Sequence, residues 1–297
     1  LLLHFRCKGT NLFRFFKRFS LKSITFVLSM SINETKMEQK IDCFLACREA
    51  GEVASTVSQL QRSTAVRSVS LLEHMAVQST AMVMHVAEQA TAPYVLLALK
   101  PVPLTLGEGA VERMLLVATD TGAAMVYADR YAVEQGERRP HPVIDYQEGS
   151  LRDDFDFGSL LLVRTSLLHK YATSDRERDY QYAGFYDLRL FLSREGTLFH
   201  LNEYLYTEQE PDLRASGEKQ FDYVNPANRA VQVEMEQACT SHLNEVHALV
   251  DVTQYQEVDF HEQDFAVEAS VVIPVYNRAK TIKDAGERAL SQKTAFR

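Results

Sequence analysis

The sequence predicts an α/β fold, Rossmann-like and three-layered, with a mostly parallel sheet between two layers of helices. Three observations predict it. From residue 41 onward, short apolar runs alternate with segments of helical periodicity, the pattern that strand–helix crossovers produce. Residues 269–290 (ASVVIPVYNRAKTIKDAGERAL) read as one complete strand–loop–helix unit. There Ser270, Val271, Val272 and Ile273 suit a buried parallel strand, Pro274 has no N–H to continue the ladder, and Ala279, Ile282, Ala285, Ala289 and Leu290 recur at helical spacing. Finally, residues 41–61 align with this unit without a gap, Phe44 on Ile273 and Arg48 on Asn277, at a constant offset of 229 residues. A fixed offset of that size signals a duplicated domain.

The elements follow in order. Residues 41–47 read as a strand and 49–61 as a helix; 66–71 form a second strand and 79–89 a helix with Met82, Val83, Val86 and Ala87 inward. YVLLAL (94–99) is a strand apolar on both faces, 108–119 a helix and AAMVY (123–127) the next strand. A polar linker (212–219) precedes a long helix opened by Asn225 and Pro226. The division expected is 1–37, a basic tail or mistranslated leader; 38–210, the first domain; 211–266, linker and helix; and 267–297, the start of a second domain.

Residues 1–29 carry Arg6, Lys8, Arg14, Lys17, Arg18 and Lys22 and no acid. No apolar run there reaches the ~18–20 residues of a spanning helix; the alternative to a tail is an amphipathic surface segment built on Phe13, Phe16 and Phe19. The net charge of −8 argues against nucleic acid as main partner. Four cysteines are too few for a disulfide scaffold, so a reducing, cytoplasmic compartment is expected, with peripheral contact at the inner membrane face as an option. Cys43 and Cys47 share one strand face and read as small core residues.

SVVIPVYNRAKTI resembles the opening of inverting family 2 glycosyltransferases of the GT-A fold. AAMVYADRY, residues 156–168 and residues 183–206 are similar to later parts of that fold, so the resemblance covers roughly residues 41–210 as well. It implies a nucleotide-sugar donor, a glycan or lipid-linked acceptor and cell-surface polysaccharide synthesis. It also implies that Pro274, Val275, Tyr276 and Asn277 line the nucleotide pocket. Mg²⁺ or Mn²⁺ is expected for a full second domain and none for the first, and the 297-residue chain itself is expected to be inactive.

Such chemistry needs a cation or positive charge on the leaving diphosphate and a base on the acceptor hydroxyl. At the position of the family's D-x-D, this sequence reads Lys100-Pro101-Val102-Pro103-Leu104. Lys100 either offers one charge to a phosphate or is a solvated loop lysine. The family's Glu-Asp before the late helix is Gly184-Phe185 here, leaving Asp187 as a displaced base or a helix-surface carboxylate. A literal D-x-D, Asp154-Phe155-Asp156, falls after a later strand and reads as a cation site or a solvated run. Asp129 ends a strand at the ligand-binding edge and is a further nucleotide-site candidate, while His200 reads as a hydrogen-bonded sheet residue. Gly107-Glu108-Gly109 lacks the third glycine of a dinucleotide turn. A binding module without catalysis is the alternative function.

Overall fold

The computed structural model describes residues 40–134, 136–174, 179–209, 229–256, 270–276 and 278–293. The expectations for residues 1–37, for the 211–228 linker, for 257–269 and for Asn277 lie outside the described residues. One compact unit ends at Leu249 and a second begins at Val250.

In the first unit the strands are β1 (Ile41–Cys47), β2 (Val66–Glu73), β3 (Tyr94–Ala98), β4 (Leu104–Leu106), β5 (Met125–Glu134), β6 (Glu137–His141), β7 (Leu160–Arg164) and β8 (Leu198–Gln209). The helices are α1 (Ala54–Leu60, after a tight turn at Ala50–Val53), α2 (Thr80–Gln89), α3 (Ala110–Thr121), α4 (Thr165–Ala172), α5 (Gly184–Glu195) and α6 (Arg229–Glu245). The sheet runs β2-β1-β3-β7-β5-β8-β4, with β6 added to β5 as a hairpin. Strands β1, β2, β3, β5 and β8 point one way; β4, β6 and β7 are antiparallel to their neighbours. The expected α/β fold with a mostly parallel sheet is therefore the fold observed.

Side-chain alternation builds the three layers. Ile41, Cys43, Leu45 and Cys47 of β1 face the layer of α1 and α3, where Leu60, Val111, Met114 and Leu115 meet them with Leu96, Val126 and Leu162. Phe44, Val95, Leu97, Met125 and Tyr127 face the opposite layer, packed on Met82, Val83 and Val86 of α2, Leu168 and Tyr171 of α4, and Leu188 and Phe191 of α5. Cys43 and Cys47 are buried and free, as small core residues are. Ser79 caps α2 through Met82 N–H at 3.1 Å. The amphipathic α6 packs on α5 through Ala238, Met235 and Cys239 against Tyr186 and Leu190, with Arg194 ion-paired to Glu245 at 2.5 Å.

The second unit holds α7 (Ile282–Leu290) and a short turn at Val252–Gln254. The strand expected at 270–273 does not form: the stretch is coil, with Val272 83% and Tyr276 92% exposed. A β-branched run becomes a strand only where a neighbour takes its N–H and C=O groups. Among the described residues it has no such neighbour. No helix among the described residues is long and apolar enough to cross a membrane.

Candidate functional site

In an open α/β sheet the ligand crevice lies outside the carboxyl ends of the parallel strands. Three strands converge there: β3, followed by Lys100, and the late parts of β5 and β8, which carry Arg130 and Glu208. Glu208 is 1% exposed and lies at the centre of the group. Its Oε1 accepts from Arg130 Nε at 2.8 Å and from Lys100 Nζ at 2.9 Å. Its Oε2 accepts from the Ser159 hydroxyl in a very short hydrogen bond. Arg130, itself 1% exposed, reaches onward to Asp156 at 3.1 Å, and His141 approaches the same carboxylate at 3.3 Å.

The loop that brings Asp156 and Ser159 here is shaped by Gly158, whose φ is +78°. A Cβ at that position would overlap the Tyr206 hydroxyl, the group that accepts from Ser159 N–H at 2.6 Å. Burial opposes ionisation of Asp156, but the Arg130 charge and the Gly158 N–H outweigh it and hold the carboxyl below its ordinary value.

Lys100, whose side chain is 37% exposed, is not free in its loop. It is ion-paired to a carboxylate that enters from β8, 108 residues away in sequence. Two cations face two anions, so the group neutralises itself. A cation bridging a diphosphate requires free carboxylate oxygens. The residues in this place are an ammonium and a guanidinium, and the carboxylates beside them are taken up by those cations. This donor set does not fit a divalent metal. Nor does the literal D-x-D: Asp154 is bound by Arg152 at 2.9 Å, on the exposed surface, while Asp156 belongs to Arg130. Arg152 keeps the Asp154 carboxyl below its ordinary value.

A second polar group occupies the other face of the same strands. Asp129 falls in the middle of β5 rather than at its end, and is 1% exposed. Its Oδ1 accepts from Val143 N–H at 2.8 Å and meets His200 Nε2 at 2.9 Å; Oδ2 is buried without a partner among the described residues. His200 Nδ1 meets Asp145 at 2.6 Å, and the ring stacks on Tyr127 at 5.1 Å. Tyr127 OH donates to Ile144 C=O at 2.9 Å and accepts from Tyr146 N–H at 2.7 Å. Burial pushes its phenol pKa up. These contacts clamp the loop after β6 onto the sheet, so His200 is the hydrogen-bonded sheet residue expected, and Asp129 holds that loop in position.

Asp187 does not lie on a helix surface. It is 2% exposed in the first turn of α5 and accepts from Tyr171 OH at 2.8 Å. A general base must reach the proton it removes, and this carboxylate faces the interior. The neighbouring Gly184 explains why no acid replaces it: a Cβ there would overlap the backbone of Ser79 and Thr80 at the start of α2. Arg189 holds the loop after β6 through Ser150 C=O at 2.9 Å and Arg152 C=O at 2.5 Å. Pro274, Val275 and Tyr276 lie in the exposed coil of the second unit. The residues missed by sequence reading are Arg130, Ser159 and Glu208. The available signal was two opposite charges at inward positions of strands otherwise apolar on that side.

No family model matches the chain, and no curated protein sequence does. Solved structures of S. aureus TarS, residues 1–349, are similar in chain course. One crystal structure is 11% identical over 70% of this chain and 68% of that chain, with a TM-score of 0.46. The complex with UDP-GlcNAc is 10% identical over 69% and 72%, with a TM-score of 0.40. The complex with UDP is 12% identical over 70% and 68%, with a TM-score of 0.42.

Proposed function

We propose that the first unit is a GT-A-type domain of a family 2-like, nucleotide-sugar-dependent glycosyltransferase, and that it serves as a non-catalytic binding or scaffolding partner. Transfer to a glycan or lipid-linked acceptor would fall to a second copy opening near Glu268. The reading of the fold is supported by the sequence resemblance together with the strand order and layers. The reading of the first unit as non-catalytic is supported by one observation: Lys100, at the position where the sequence resemblance expects the D-x-D, is ion-paired with Arg130 to the buried Glu208. A site whose charges are matched internally has little left for a diphosphate. Breaking a buried pair to accommodate one costs about 3–5 kcal/mol.

Calorimetry of the full chain with UDP-GlcNAc and with GDP-mannose, each with and without Mn²⁺, tests this. The expected result is no Mn²⁺-dependent binding. Mn²⁺-dependent heat that vanishes in Lys100→Ala would overturn it.

A further inference from the structure

The hairpin β5–β6 and strands β8 and β4 form a corner of the sheet whose faces differ. On one, Arg130 and Glu208 are sealed in the network above. On the other, residues in register across the strands make a lateral row: Pro140, Tyr131, Thr207 and Thr105. Register shifts on both sides of Asp129 turn Tyr204 toward the same row, and its ring lies 4.8 Å from that of Tyr131. The Arg138 guanidinium lies over the Tyr131 ring, 3.6 Å from its centroid. Beside this row, Thr105, Gly107, Arg138, Tyr204 and Thr207 line a cleft of about 340 Å³. Tyr204 is 39% exposed, and Thr105 and Arg138 are exposed.

The geometry points to a glycan-binding platform on this face, stacked on Tyr204. A sugar ring offers an apolar C–H face edged by hydroxyls. The row offers the complement: an aromatic face, two threonine hydroxyls that donate and accept, and a planar guanidinium with several donors. Among the described residues Arg138 has no ion pair, so its donors are available for hydroxyls or for an acidic substituent. A protein partner would call for a contiguous apolar patch, and this surface is built of hydroxyls, a cation and two rings. The inference rests on the reading of the unit as a binding module only for the ligand class.

The chain contains no tryptophan, so Tyr204→Trp in the full chain introduces a single reporter. The probes are cellopentaose, xylohexaose and tetragalacturonate. A saturable change in emission is expected with at least one of them, weakened about fivefold to tenfold when Arg138→Ala is added, the size of one such contact. In gels containing the matching polysaccharide, the unmodified chain should be retarded, Tyr204→Phe should keep the retardation and Tyr204→Ala should lose it, with circular dichroism unchanged. No saturable change with any probe, or retardation undiminished in Tyr204→Ala, overturns the platform; so does a Tyr204-dependent protein contact without glycan binding. Lys100→Ala should leave the titration unmoved. Failure of the platform is therefore distinct from failure of the self-neutralised site, which the nucleotide calorimetry reads.

Discussion

Residues 41–47 and 270–276 align without a gap and carry the same signature, a short apolar run followed by a polar turn and an amphipathic helix. The first is the buried strand β1, paired on both sides by β2 and β3. The second is exposed coil, although α7 forms after it, with no buried residue. The difference teaches that such a run specifies what a segment can become, whereas its neighbours decide whether it does. Helix α7 satisfies its own backbone hydrogen bonds; a strand cannot.

The largest expected effect tests that contrast directly. Phe44, 1% exposed and packed on the α2, α4 and α5 side, should cost about 3–5 kcal/mol on Phe44→Ala. Its aligned counterpart Ile273 is 39% exposed, and Ile273→Ala should change stability by less than about 0.5 kcal/mol. Urea denaturation of the full chain measures both. A cost of several kcal/mol at Ile273 would mean that the second stretch is packed after all, and the comparison would collapse.

Partner supply governs charges in the same way, with a smaller expected effect. Glu208→Ala removes the buried partner of Arg130, whose side chain is 2% exposed, leaves it only the half-exposed Asp156, and should cost about 3 kcal/mol. Glu137, paired with Arg139 on the surface of β6 where both side chains are well over half exposed, should cost no more than about 1 kcal/mol on the same change. Equal midpoint shifts in the two variants would show that burial does not set the worth of these pairs.

Much of the fold was legible for reasons the same comparison makes plain. Strands β1, but for Asp42, and β3 are apolar runs buried on both faces, and the sequence reading places both to within a residue. The strand read at 123–127 continues to Glu134, because ADRYAVE is neither an apolar run nor an alternation and its outer half needs the β6 hairpin to show itself as strand. Strand β4 is three residues long, too short for any periodicity. The helix read at 49–61 is a tight turn followed by α1. The candidate site was less legible. Lys100 and the missing acids are visible as single positions. Their meaning depends on Glu208 and Arg130, which meet only after β8 pairs with β5, and no local pattern encodes a contact 78 residues apart. Asp187 reads as a surface residue from its helical position and is inside because α4 and α6 flank α5.

The mildest test concerns Asp42, a charge inside β1 whose aligned partner in the second stretch is Val271. Burial alone disfavours its ionised form, but hydrogen bonds from Arg67, Ser68 and the N–H groups of Ala92 and Thr91 outweigh that, lowering its pKa from 3.8 to about 2. A carboxyl with a depressed folded-state pKa stabilises the fold fully above its unfolded value and loses that contribution as the pH falls through the folded one. The window is therefore about pH 4 down to pH 2, and the amount is about 1–2 kcal/mol after allowance for screening through the partly exposed Arg67. In Asp42→Asn, urea midpoints should lose this part of the acid slope while keeping the rest. Unchanged acid dependence in the variant would mean that the strand holds Asp42 without needing its charge, so that apolar pairing alone separates β1 from its counterpart.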